Sequence, residues 1–116
     1  MSWSYEADKE RGKVGPLNVV VVDEDGSTEV LTNHGYHSPD GFQIGYDGSG
    51  PADLAYSILT DYMLRCHDID MADIPGKVEQ LHQEFKRAYI ANAKDYIRIS
   101  SALIYSFLRM QENKND

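Results

Sequence analysis

One cysteine, Cys66, in 116 residues excludes a disulfide framework and a cysteine-rich zinc centre. No apolar run approaches the roughly 20 residues that a membrane-spanning helix needs. The opening residues, Met1 to Glu6, lack the basic start and apolar core of a signal peptide. These absences predict a cytoplasmic protein with no membrane association. Bases are also scarce: 11 Lys and Arg stand against 19 Asp and Glu, for a formal charge of −8. From Asp23 to Asp73 there are eleven acids and a single base, Arg65, whereas seven bases and five acids follow Ile74. Affinity for duplex nucleic acid comes mainly from clustered Lys and Arg that neutralise phosphates, so direct nucleic-acid binding is not expected.

What is present suits an ordered globule. The apolar fraction of 41% and the charged fraction of 26% are ordinary for a folded domain, and the length allows one core. Residues 1–16 are polar and end in Gly12, Gly15 and Pro16, which predicts a flexible N-terminal arm with Trp3 and Tyr5 as anchors. Leu17 to Val22 is β-branched and reads as a strand buried on both faces. Asp25-Gly26 supplies a tight turn, and Ser27 to Thr32 returns, making a hairpin over 17–32. Phe42 to Tyr46 alternates large apolar residues with Gln43 and Gly45, predicting a third strand. Tyr96 to Ile99 predicts a short fourth one.

Helical periodicity predicts three helices, at about 51–66, 76–92 and 101–110. In the first, Leu54, Ala55, Ile58, Leu59, Tyr62 and Cys66 share a face, leaving Asp53, Ser57, Thr60 and Asp61 away from it. In the second, the stripe is Val78, Leu81, His82, Phe85 and Tyr89, with Glu79, Gln83, Lys86 and Arg87 toward solvent. The third is nearly apolar all round, which predicts either insertion between elements or self-association through 101–110. A frayed tail over 111–116 completes a single α+β domain: a small antiparallel sheet packed against three helices.

The stretch Gly45-Tyr46-Asp47-Gly48-Ser49-Gly50-Pro51 joins the third predicted strand to the first helix. A helix start offers unpaired N–H groups and the positive end of the dipole, and glycines admit a ligand to the backbone. The expected ligand-binding set is therefore Tyr46, Gly48, Ser49, Gly50 and Ala52, joined by His34 and His37 from the preceding loop. The competing reading is a strand-to-helix turn whose glycines only permit the backbone angles. A loop histidine with Asp47 and Ser49 has the residue types for acid–base or nucleophilic chemistry. No catalytic motif is complete, and neither a Walker lysine nor a dinucleotide G-x-G-x-x-G is present. His67 to Asp73 fails as an EF-hand loop, because Ala72 and Asp73 fall at its fifth and sixth positions and Pro75 interrupts it. No metal and no cofactor is expected. His82 reads as a hydrogen-bonded core histidine and Cys66 as a small core residue.

The run His37-Ser38-Pro39-Asp40-Gly41-Phe42-Gln43-Ile44-Gly45-Tyr46-Asp47-Gly48-Ser49-Gly50-Pro51-Ala52-Asp53-Leu54-Ala55 resembles the signature of a small family of unknown function found in bacteria, archaea and phages. Its members typically read N-H-S-P-x-G-F-x-W-G-Y-x-G-S-G-P-A-x-L-A. Leu81-His82-Gln83-Glu84-Phe85-Lys86 is similar to their L-Y-Q-D-F-K, and Tyr96 to Leu108 to their closing segment. Ile44 and Tyr96 stand where tryptophan is usual, and Gly35-Tyr36-His37 looks like a local insertion, so either His34 or His37 matches the family's histidine. The resemblance implies a phage or mobile-element setting, in the host cytoplasm. Three functions are expected from all this. The first is a non-catalytic binding module that counters host defence by holding an anionic nucleotide-like ligand or a host protein. The second is a small hydrolase or transferase using a loop histidine with Asp47 and Ser49. The third is an acidic inhibitor that mimics nucleic acid.

Overall fold

The computed structural model describes residues 2–9, 17–35 and 41–114. The architecture is α+β: four antiparallel strands with three helices packed on one face. The strands are β1 (Trp3–Asp8), β2 (Val20–Asp23), β3 (Thr28–Val30) and β4 (Tyr96–Ser100), in the spatial order β3-β2-β1-β4. The helices are α1 (Ser49–Cys66), α2 (Ile74–Tyr89) and α3 (Ser101–Lys114), with a 3-10 turn at Met71–Asp73 ahead of α2.

The predicted flexible arm instead supplies the central strand. β1 pairs with β2 from Trp3↔Asp23 to Glu6↔Val20, and with β4 from Ser4↔Ser100 to Asp8↔Tyr96. Its period of two explains why: Tyr5 and Ala7 are buried, while Ser4, Glu6 and Asp8 face outward and give the segment its polar look. Residues 10–16 of the predicted arm lie outside the described residues. Leu17 to Val22 was expected to be buried on both faces, but only Val19 and Val21 are. Val20 and Val22 are half-buried, because no helix among the described residues covers the outer face of the sheet.

The β2–β3 hairpin closes through Asp23 N–H to Ser27 O at 2.8 Å and Gly26 N–H to Asp23 O at 2.9 Å. Gly26, at φ +88°, takes the left-handed position of a three-residue loop, and the Asp25 carboxylate accepts from the Ser27 N–H and hydroxyl. Phe42 to Tyr46 is not a strand. Phe42 and Ile44 are buried as their alternation predicts, but Gly41 and Gly45 have φ of +73° and +88° and turn the chain at both ends. Its neighbours are reached by single bonds, Leu17 N–H to Phe42 O and Gly45 N–H to Ile90 O, rather than by a ladder.

Helix boundaries shift modestly. α1 begins at Ser49 rather than Pro51, so Pro51 is its third residue, a position whose N–H has no intrahelical acceptor. α3 continues to Lys114 through most of the predicted frayed tail. The Ser100 hydroxyl caps it by accepting from Leu103 N–H at 3.1 Å. Ile104 and Phe107 anchor this helix, whereas Tyr105 and Met110 remain exposed. Phe107 meets Phe85 of α2 edge to face at 5.1 Å. Beneath the sheet, Leu54, Ile58, Leu59 and Met63 of α1 and Val78 and Phe85 of α2 complete the core with Tyr5, Val21 and Ile99.

Because β1 bonds on both edges, its removal leaves β2–β3 and β4 with no shared partner. A chain lacking residues 1–8 is expected to show no cooperative thermal transition by circular dichroism. A true arm could be deleted with the transition intact.

Candidate functional site

The polar residues that the fold gathers lie along one line of α1. Asp53, Ser57, Asp61 and Arg65 recur every four residues, so they stack on a single helix face. This face was expected to meet solvent, yet Asp53 and Ser57 are fully buried. The chain leaving β3 runs across it. Arg65 pairs with Glu29 of β3, the Ser57 hydroxyl accepts from His34 N–H at 2.8 Å, and Gly35 lies against Asp53. A Cβ on Gly35 would sit 2.5 Å from Asp53 Oδ1, so only glycine permits that approach.

Asp61 links this face to the central strand. Tyr5 donates its hydroxyl to Asp61 Oδ2 at 2.7 Å and accepts from Trp3 Nε1 at 2.9 Å, and Arg65 Nε donates to the same Asp61 oxygen at 2.5 Å. Burial, then the Asp61 charge, pushes the Tyr5 hydroxyl far above the ordinary tyrosine range, so it stays a proton donor. Burial likewise raises Asp61, while the Tyr5 hydrogen bond and the His34 charge act in the opposite direction. The direct Arg65 contact also favours the carboxylate.

The Gly-rich turn is a second joint. Gly48 caps α1 without a side-chain hydrogen bond, and Ser49 is exposed at the first helical position. Ala52, expected to offer a spare amide, is buried and donates its N–H to Gly48 O at 3.0 Å. Gly50 is buried beneath Gln43, whose Cγ would lie 2.6 Å from an added Cβ. The Tyr46 ring folds over Gly48 and is 48% exposed on its other side. Asp47 turns to α2, where it pairs with Lys86 and with Arg87 Nε at 3.5 Å. The Lys86 hydrogen bond is the main reason the Asp47 carboxyl titrates below the usual range.

Lys86 was read as a solvent-facing residue, but it is 4% exposed and also donates to Gln83 Oε1 at 2.6 Å. It is the cation beside the Gly-rich turn that sequence reasoning missed. Its position on the polar side of a helical stripe gave no signal that a loop forty residues earlier would cover it. His82 is buried as expected, with Nδ1 held near the carbonyls of Val78 and Glu79.

The predicted constellation is thus divided. His34 is held at Ser57, two turns along α1 from Ser49 and about 12 Å away along the axis. Its charge reaches Asp61, in the group farther along the helix. His37 lies outside the described residues. Among the described residues, no group of three or more His, Cys, Asp or Glu is placed to hold a metal ion. No helix there is long and apolar enough to cross a membrane. A groove of about 160 Å³ lies between the helices over Met63, Ile69, Leu81 and Leu108, below the roughly 300 Å³ at which small-molecule sites begin.

The chain belongs to the family of unknown function DUF6166, whose family model matches residues 5–110. That span includes the central strand from Tyr5 on, the Gly-rich turn and all but the end of α3. No curated protein and no solved structure matches the chain.

Gly35→Ala and Asp47→Asn test the two joints, and Gly76→Ala is the contrast. Gly35→Ala is expected to cost about 1–3 kcal/mol by overpacking against Asp53. Gly76→Ala, where an added Cβ meets nothing within 4 Å, is expected to stabilise α2 by about 0.5–1 kcal/mol; chemical denaturation measures both. A carboxyl with a lowered folded-state pKa stabilises the fold above about pH 4 and loses that contribution as acid protonates it. Asp47→Asn is therefore expected to flatten the fall in melting temperature below pH 4, as seen by thermal scans at stepped pH.

Proposed function

We propose that this member of a family of unknown function is a non-catalytic binding module that acts through its outer surface on a protein partner. What supports this is the sheet face that no helix among the described residues covers. Val20, Val22 and Val30 lie side by side there with Thr28, and Tyr96 stands at the opposite edge, 64% exposed. Asp47, a candidate for chemistry, and the polar residues Asp61 and Ser57 of α1 bond within the fold, joining helices to sheet and loop. In the phage or mobile-element setting that the family resemblance implies, the partner is a host protein in the cytoplasm, and binding it counters host defence.

A second reading keeps the Gly-rich turn as an anion site. It is favoured by Lys86 and Arg87 lying beside the turn that leads to the exposed Ser49. An anionic nucleotide-like ligand would there replace Asp47 as their partner, with Tyr46 and Gly48 alongside. Asp47 already occupies both cations, which makes this the weaker of the two.

The readings separate cleanly. Retention of a host partner from lysate is expected to fall at least tenfold in Val22→Asp/Tyr96→Asp and to persist in Ser49→Ala, with melting temperatures shown to be comparable. Calorimetry against nucleotides and cyclic nucleotides is expected to be silent. Saturable nucleotide binding that disappears in Ser49→Ala would overturn the surface reading.

A further inference from the structure

Among the described residues β3 has no strand on its outer side, and the pattern of main-chain bonds shows which of its groups face that edge. Asp23 N–H bonds to Ser27 O, and Leu31 N–H to Val19 O. Hydrogen-bonded pairs alternate along an antiparallel ladder, so Val21↔Glu29 is the bonded pair between them. The N–H and C=O groups of Thr28 and Val30 therefore point away from β2, toward the open side of the sheet. β3 is the edge strand, all three of its residues are exposed, and Val30 is 74% exposed. Such an edge is a template for one more strand.

Side chains beside the edge specify what that strand carries. On the outer face Val30 adjoins Val20, and Thr28 adjoins Val22, a small apolar strip that an alternating apolar side chain would extend. Acids flank it at Glu24, Asp25 and Glu29, within the segment Asp23 to Asp73 whose only base is Arg65. Arg65 is engaged with Glu29 and Asp61. Charge complementarity thus calls for lysine or arginine between the apolar residues. The same charges disfavour a second copy: an antiparallel β3–β3 pair centred on Glu29 sets like charges opposite one another. At the other edge of the sheet, β4 has Arg98 at its centre, 74% exposed along its side chain, a cation of the kind that guards edges against strand addition.

Resting on the surface-binding reading above, we propose that β3 accepts a basic, extended segment of the partner protein as a fifth strand, held by the main-chain groups of Thr28 and Val30. The mode is strand addition, in which backbone bonds give affinity and alternating side chains give selectivity.

Proline separates this mechanism from simple charge attraction. Val30→Pro removes an outward N–H while sparing the β2 ladder, and edge strands tolerate proline there. Arg98→Pro is the matching change on the β4 edge. The probe is a blocked nine-residue peptide alternating valine with lysine, with a valine–glutamate peptide as control, followed by calorimetry and amide shifts. Saturable binding of the lysine peptide is expected, with shifts at Thr28 to Val30 and at least a tenfold loss in Val30→Pro. Arg98→Pro is expected to bind as wild type. If Val30→Pro fails to fold, Thr28→Pro makes the same test. No saturable binding, equal binding of the glutamate peptide, or undiminished binding in folded proline variants would overturn the proposal. So would light scattering that shows a dimer dissolved by Val30→Pro, since the occupant would then be a second copy. A host partner lost in Val22→Asp/Tyr96→Asp but retained in Val30→Pro would sink the edge and leave the face. A partner retained in both variants would sink the broader reading.

Discussion

Tyr5, at 0% exposure in the central strand, donates its hydroxyl to Asp61 of α1, and Arg65 reaches the same carboxylate from one turn further on. A partly buried carboxylate is stabilised when its oxygens are matched by donors, and removing one partner leaves part of the desolvation penalty of the others uncompensated. This bond therefore fixes the position of α1 beneath β1. Once α1 is in place, its polar face determines the course of the chain from β3 onward, because Glu29, His34 and Gly35 meet Arg65, Ser57 and Asp53 in turn, running toward the helix start. Trp3 joins the arrangement from the other side, bonding to Tyr5 and packing its ring 5.6 Å from Tyr62.

The Gly-rich turn follows from the same constraint. Its glycines serve close packing: Gly50 lies under Gln43, and Gly48 lies under Tyr46. Asp47 reaches Lys86, a cation buried on α2 that is also held by Gln83. The turn thus acts as a joint between α1 and α2. With helices on one face and the polar joints bonded within the fold, the opposite sheet face and the outer edge of β3 are left uncovered among the described residues. Acids are concentrated along the hairpin side of that surface, whereas the β4 edge carries Arg98, so the two edges of the sheet differ in charge.

Much of the fold was legible in the residues. The three helices were readable from the recurrence of Leu54, Ile58, Tyr62 and of Val78, Phe85, Tyr89, and the hairpin from its valines around Asp25-Gly26. β1 was missed because an outward-facing Ser4, Glu6 and Asp8 mask a period-two strand when its other face alone is buried. Phe42 to Tyr46 was read as a strand because burial alternates there, but Gly41 and Gly45 at positive φ prevent an extended ladder. The candidate site was legible only in part. His34, Asp47 and Ser49 were visible as residue types, while the neighbour of each was decided by elements distant in the chain.

Sequence by itself determined the class: an α+β globule of net charge −8, one helix started by a glycine turn, and membership of a family whose model spans 5–110. These properties are local or compositional, set by periodicity, turn chemistry and counts. Only the tertiary structure decided that Asp53 and Ser57 are core residues and that Lys86 is buried. It also decided that Tyr5 meets Asp61 and that, among the described residues, no helix covers one sheet face. The physical reason is that a polar side chain is buried when a partner from elsewhere satisfies it, and no pattern within its own segment carries that partner's address.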